Sequence, residues 1–310
     1  MYDTINLWLP FDEVEQVNTS AIEQRLEHIT VHEKDQNYSI SGKLNGVYQI
    51  RLSDQGVSLK GSLAKYFLSD NFNTLTRADS QRAIERLSDE LVLPLNKAKV
   101  RRLDFSTSFI MKHPPEAYYS YLGQSQYYDR APFKKSLYYT NQQRQKLFYN
   151  KIAEGLKKGH SIPEVWEGKN VLRYELRYTR RLKDQLKENE LTADKLYNPS
   201  FYQKIFNNWH KEYTVIDKIN KFKNMNTEEI NSPKDYMKQL QILAVNLLGQ
   251  DEIMKNIEDL RLLGVFDKPE YYSRLKGDIR KLCNTEEVSE ESELIQELNK
   301  KINNTMRYCR

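Results

Sequence analysis

The chain has 310 residues, 39% hydrophobic and 29% charged, a balance that supports a packed core with a solvated exterior and excludes wholesale disorder. No apolar run approaches the roughly 18 residues that span a bilayer, and the opening "MYDTINLWLP" carries Asp3 and no basic residue, unlike a secretory signal. The net charge is only +5, yet residues 97–187 hold 20 Lys and Arg against 8 Asp and Glu, leaving the rest of the chain acidic.

Residues 2–9 read as an opening strand stopped by Pro10. "TSAIEQRLEHI" offers Thr19 or Ser20 as a helix cap and spaces Ala21, Ile22, Leu26 and Ile29 as one helical face, with His28 and His32 flanking its end. "YSISGKL" and "VYQIRLS" flank Asn45-Gly46, a strong hairpin signal, and "GVSLKGS" adds a further strand. A helix is predicted from Arg77 to Leu91, with Ala83, Ile84, Leu87 and Leu91 on one face and Pro94 past its end.

"KVRRLDFSTSFIM" alternates as a strand, with Leu103, Phe105, Thr107 and Phe109 on one side and Arg102, Asp104, Ser106 and Ser108 on the other. "PPEAYYSYLG" suits a short helix. "KSLYYTN" and "KLFYNKIA" form a hairpin around "QQRQ", and "NVLRYELRYTRRL" sets Leu172, Tyr174 and Leu176 against Arg173, Glu175 and Arg177. Beyond Asp194 the spacing turns helical, with starts at Ser232-Pro233 and Lys268-Pro269 and stops at Gly249 and Gly264. The segment from Glu286 reads as a solvated terminal helix or frayed tail. The expectation is an α+β unit over residues 1–220, then a helical unit over 221–310 that ends in an acidic and then basic tail.

Three strands thus present Asp104, Glu175 and Tyr149 on what can be one sheet face, and strand parity turns Lys151 the same way as Tyr149. Paired carboxylates suit a hard cation such as Mg2+ or Mn2+, which polarises a phosphodiester oxygen. A tyrosine oxygen aimed at that phosphorus is a candidate nucleophile, helped electrostatically by the ion or by Lys151. The same residues can equally form surface ion pairs, with Arg173 and Arg177 neutralising Glu175.

Basic side chains tracking a nucleic-acid backbone are expected at Arg101, Arg102, Lys134, Lys135, Arg144, Lys146, Arg173 and Arg177. Eight tyrosines between 118 and 149 offer faces for unpaired bases or packing for a core. Phosphate loops, acyl-transfer elbows and Cys/His clusters are absent from the sequence. Cys283 and Cys309 lack metal-ligand spacing, which predicts a reduced, cytoplasmic protein.

"MYDTINLWLP", "VRRLDFSTSF", "LFYNKIAEG" and "VLRYELRYTRRL" followed by "LYNPSFY" resemble the gene II/X family of phage and plasmid replication proteins, most closely between residues 100 and 205. The resemblance implies a metal-dependent nicking and joining enzyme that starts rolling-circle replication, on a ferredoxin-like sheet related to the HUH endonucleases. It implies a tyrosine that holds the 5′ phosphate and frees a 3′ hydroxyl for a polymerase. Tyr149 matches that tyrosine, Lys151 the lysine two residues on, and Asp104 and Glu175 the acidic positions that would hold Mg2+ or Mn2+. The His-hydrophobic-His element of the wider group does not occur, and Tyr138 and Tyr139 are alternative nucleophiles. A mobilisation relaxase and a non-catalytic origin-binding protein are the alternatives. Origin DNA is the expected partner, with a host helicase and polymerase beside it and no membrane. The helical C-terminal stretch is suited to duplex contacts, to the helicase or to a homodimer.

Overall fold

Alternating apolar and polar residues along the strands build one sheet with two unlike faces. The computed structural model describes residues 1–15, 17–34, 37–219, 221–222, 230–283, 289–290 and 292–308. Its chain divides into two compact units, Met1–Tyr119 with Gln124–Ile216 and Asn299–Arg310, and Ser120–Gly123 with Asp217–Leu298.

The first unit is built on β1 (Tyr2–Pro10), β2 (Glu27–Lys34), β3 (Asn37–Leu44), β4 (Tyr48–Ser53), β5 (Gly56–Ser62) and β6 (Lys99–Met111). The short β7 (Leu122–Ser125) precedes β8 (Asp129–Phe133), β9 (Ser136–Thr140), β10 (Arg144–Asn150) and β11 (Asn170–Tyr178). Ten of these form a single sheet in the order β2-β3-β4-β5-β1-β6-β11-β10-β9-β8, with antiparallel pairing throughout. The expected antiparallel α+β architecture is therefore present.

Asn45 and Gly46, both at positive φ (51° and 62°), close the β3–β4 hairpin. The connection is the three residues 45–47, with Val47 N donating to the Leu44 carbonyl at 3.1 Å and the positive φ values at the positions that Asn and Gly tolerate.

One face of the sheet is apolar. Ile50, Leu59, Leu7, Leu103, Phe105, Tyr174 and Phe148 are buried on it. Helices α3 (Arg77–Leu91) and α7 (Pro199–Thr214) bury apolar stripes of their own. Thr76 and Asp79 form a reciprocal capping box at the start of α3. Asn198 caps α7, with Pro199 in its first turn. Phe201, Tyr202, Ile205, Phe206, Trp209 and Tyr213 recur at helical spacing along α7 and are all buried. Phe105 meets Tyr202, Phe206 and Trp209 in edge contacts at 5.9–6.4 Å, and Tyr174 stacks on Phe148 at 4.6 Å. Such pairs add about 0.5–1.5 kcal/mol each beyond area burial, so this aromatic layer anchors the sheet.

The remaining helices of this unit are short: α1 (Thr19–Glu23), α2 (Leu63–Leu68), α4 (Pro115–Tyr119), α5 (Lys151–Lys157) and α6 (Leu182–Leu186). The helix expected through Ile29 stops at Glu23, and its cap is Asn18, whose side chain accepts from Ala21 N at 3.0 Å. His28, Ile29 and His32 lie instead on β2, because pairing with β3 outweighs the local helical spacing.

The chain passes between the units at β7 and β12 (Ile216–Lys218). The second unit contains β13 (Lys221–Phe222), α8 (Pro233–Leu248), α9 (Gln250–Leu262), α10 (Pro269–Cys283), β14 (Ser289–Glu290) and the start of α11 (Glu293–Tyr308). Ser232 caps α8, and Gly249 and Gly264 take positive φ at the two breaks, as the sequence predicts. Ile295, Leu298 and Ile302 are buried along α11, so the terminal segment is a packed helix and not a frayed tail. Part of that segment, residues 286–288 and 291, and Cys309 lie outside the described residues. No helix among the described residues is long and apolar enough to cross a membrane.

Candidate active site

The second sheet face is polar, and register decides which of its residues meet. Arg177 stands opposite Asp104, Glu175 opposite Ser106, Arg173 opposite Ser108, and Tyr149 opposite Arg173. Cross-strand partners share a side of the sheet, so the three strands converge as the sequence parity predicts.

The Tyr149 hydroxyl donates to Glu175 Oε2 at 3.0 Å. Arg177 Nε donates to Glu175 Oε1 at 2.6 Å and lies 3.6 Å from Asp104 Oδ2. Arg102 forks both Asp104 oxygens, Nε to Oδ1 at 2.9 Å and Nη2 to Oδ2 at 2.7 Å. Asp104 is buried, and desolvation raises its carboxyl to about 7, reinforced by the Glu175 charge and opposed by Arg102 and Arg177. Burial also pushes the Tyr149 phenol well above its usual range, with the Glu175 charge adding to the shift and Arg173 opposing it.

Arg173 anchors this cluster from inside the protein. Its Nη2 donates to Asp3 Oδ2 and Ser106 Oγ, both at 2.6 Å, and its Nη1 donates to Ser108 Oγ and the Asn71 carbonyl. Its Nε lies 3.9 Å from Glu175 Oε2. Asp3 accepts further bonds from Ser62 and Asn71. Burial alone would raise the Asp3 carboxyl, but Arg173 and these bonds hold it below its usual value. Asp3 shapes the site and is absent from the residues that sequence reasoning selects. Its signal is the lone charged residue in an otherwise uncharged strand.

Lys151 departs from the expected geometry. Asn150 ends β10 and caps α5, its Oδ1 accepting from Ala153 N at 3.0 Å, so Lys151 opens a helix and strand parity no longer applies. Its ammonium pairs with Glu154 at 2.8 Å and lies 5.2 Å from the centre of the Phe72 ring. Desolvation and then Arg173 lower the Lys151 pKa, while Glu154 opposes both. Burial works against ionisation of Glu154, yet Lys151 and Lys158 hold its carboxyl down at about 2. The Asn at the N-cap position is the legible signal.

The expected DNA contacts divide sharply. Lys134 is exposed, Lys135 is exposed and pairs with Glu116, and Arg101 is exposed with its guanidinium 4.5 Å from the Trp8 ring centre. Arg102 and Arg177 are half-buried and committed to carboxylates. Arg144 pairs with Glu212 at 2.5 Å.

Lys146 and Arg173 are not surface cations, with only 0% and 1% exposure. Lys146 points to the apolar face, where Glu212 at 2.8 Å, Ser125 and the Tyr128 ring enclose its ammonium. A buried charge needs such partners, and none of it is left for a phosphate. Of the eight tyrosines, Tyr118, Tyr119 and Tyr139 belong to the core and Tyr127 is fully displayed. Tyr139 packs edge-on to Phe148, away from the carboxylates, while Tyr138 packs against Phe133.

Among the described residues no group of three or more His, Cys, Asp or Glu side chains could hold an ion. The donor chemistry nevertheless suits Mg2+ or Mn2+, which bind through one or two carboxylates and keep several waters. Asp104 and Glu175 both lie within 3.6 Å of one Arg177 nitrogen, so a cationic position between them is already defined. An ion there would take the place of Arg177, whose side chain is 25% exposed, and would share Asp104 with Arg102, which holds both of its oxygens.

Fold and site define an antiparallel α+β protein with a carboxylate–phenol–guanidinium centre on an otherwise basic sheet face. The family model for the N-terminal part of the gene II type of replication-associated protein matches residues 1–212, and the chain belongs to this family of phage replication-associated proteins. Comparison with curated proteins returned no match.

Proposed function

We propose that the protein is a rolling-circle replication initiator, which nicks and rejoins one DNA strand at a phage or plasmid origin on an HUH-related sheet. The observation that carries this reading is the Tyr149 hydroxyl hydrogen-bonded at 3.0 Å to Glu175, beside buried Asp104. Tyr149 Oη attacks the phosphorus and its proton passes to Glu175 Oε2. The Tyr–O–P bond forms as the bond from phosphorus to the 3′ oxygen breaks, and that oxygen leaves as a 3′ hydroxyl after taking a proton from water. Rejoining is the reverse: a 3′ hydroxyl attacks the phosphotyrosine, and Tyr149 recovers its proton.

The raised phenol pKa makes this proton acceptor essential, since a free tyrosine at neutral pH is a poor nucleophile. Asp104 and Glu175 are the residues that would hold Mg2+ or Mn2+, which when bound polarises a phosphodiester oxygen. Arg102 and Arg177 orient the two carboxylates, and Arg177 can turn to the phosphate. Lys151 acts through Glu154 and the start of α5, which fixes where β10 ends. The second unit is the candidate contact for a host helicase, a polymerase or a second copy.

The test is to incubate supercoiled origin plasmid with the protein and Mg2+ or Mn2+, against Tyr149→Phe. Wild type is expected to nick and to retain a covalent DNA adduct, and the variant to do neither. Equal nicking by the variant removes Tyr149 from the role. Binding without nicking under either metal selects the non-catalytic origin-binding reading. Nicking of a transfer origin instead selects the relaxase.

A further inference from the structure

The polar sheet face does not end at Arg102. Its register continues across β1, β5, β4 and β3: Arg102 opposite Asn6, Asn6 opposite Lys60, Lys60 opposite Gln49, and Gln49 opposite Lys43. One pair further along, Trp8 faces Ser58, Ser58 faces Arg51, and Arg51 faces Ser41. At the ~4.8 Å spacing of neighbouring strands, this carries the face about 24 Å from β6 to β2.

The far end opens into a groove of about 420 Å3, walled by His28, His32, Lys43, Arg51 and Lys60, with uncharged residues completing its lining. None of its lining residues is acidic. Glu27, opposite Lys43, stands outside the lining. Lys43, Arg51 and Lys60 are exposed and form no ion pair among the described residues. The Arg51 guanidinium is aimed by two bonds to Ser39 Oγ, at 3.1 and 3.3 Å, and His32 Nε2 lies 2.8 Å from Ser41 Oγ. Between groove and active centre sits half-buried Trp8 with Arg101 over its ring at 4.5 Å, an aromatic and a cation together.

We propose that the β2–β5 half of this face binds the sugar-phosphate backbone of the DNA that runs on from the cleaved phosphodiester. The inference rests on the DNA-nicking reading of the Tyr149 centre. Charge complementarity picks the occupant. A run of unpaired cations with no carboxylate in the lining, on the same face as the candidate nucleophile, matches a polyanion extending from it. Lys43, Arg51 and Lys60 contact phosphates; Trp8 supplies a stacking surface where the strand crosses β1.

The full-length Lys43→Gln/Arg51→Gln/Lys60→Gln variant tests this by fluorescence anisotropy across a salt series. Its ligands are a long origin fragment and a short oligonucleotide covering the cleavage site alone. The long fragment is expected to bind about 10- to 100-fold more weakly, with the slope of log Kd against log salt reduced by about 2–3. Binding and cleavage of the short oligonucleotide are expected to stay at the wild-type level. Each single Gln variant should lower the slope by about one, and Lys43→Arg/Lys60→Arg should restore it. Unchanged affinity and slope on the long fragment, in a variant with wild-type circular dichroism, overturn the proposal. If wild type shows the full slope on the long fragment but nicks neither DNA, the nicking reading falls and the binding surface stands.

Discussion

The two halves of the polar sheet face hold similar numbers of cations and use them in opposite ways. Around β6, β11 and β10, Arg102, Arg173 and Arg177 each contact a carboxylate within 2.7 Å, and Arg173 is buried outright. Across β2 to β5, Lys43, Arg51 and Lys60 stay exposed. The difference is set by desolvation. A charge taken out of water must be neutralised in place, so the cations of the first half are paired with carboxylates, while those of the second half stay solvated. On the proposed reading, chemistry and affinity separate along a single face.

That division can be broken first at the centre. Tyr149→Phe is expected to lower origin nicking by about a thousand-fold or more while leaving DNA affinity near wild type, as read by gel assay and anisotropy. A variant that loses affinity in parallel would mean that the two halves are not separable. Arg173→Ala strands Asp3 as an unpaired buried charge and is expected to cost about 3–5 kcal/mol in denaturant unfolding, far above any exposed cation on the other half.

The Glu154 ion pairs sharpen the comparison through pH. Because the Glu154 carboxyl is held at about 2, below its ordinary 4.5, its stabilisation is full above about pH 4.5 and lost as pH falls through 2. Discounted for its partial exposure, Glu154→Gln should cost about 1–2 kcal/mol at neutral pH, and the gap in melting temperature from wild type should close on acidification. Arg101→Ala marks the small end: loss of the contact with Trp8 should cost about 0.5–1 kcal/mol in stability.

Period-two alternation makes β6 and β11 legible residue by residue, including which side Asp104 and Glu175 take. The Asn45-Gly46 turn and the helix over Arg77–Leu91 are equally open to reading, because their signals are local. The stretch after Glu23 has apolar spacing that fits a helix, whereas pairing with β3 claims it for the sheet. Lys151 escapes the parity argument for a related reason: parity holds only within a strand, and Asn150 has already ended this one.

The basic surplus of residues 97–187 points to one nucleic-acid face, but charge counted along a chain carries no information about pairing. Lys146 and Arg173 belong to that surplus and are buried, whereas Lys43, Arg51 and Lys60 lie outside it and line an open groove. Local pattern was enough to place Asp104, Glu175 and Tyr149 on strands β6, β11 and β10 and on one side of them. Which strands became neighbours, and therefore that Tyr149 meets Glu175 and that Arg173 reaches Asp3 across the sheet, was set by long-range register. Those contacts join residues 26 and 170 positions apart, and only the closed sheet brings them within hydrogen-bond reach.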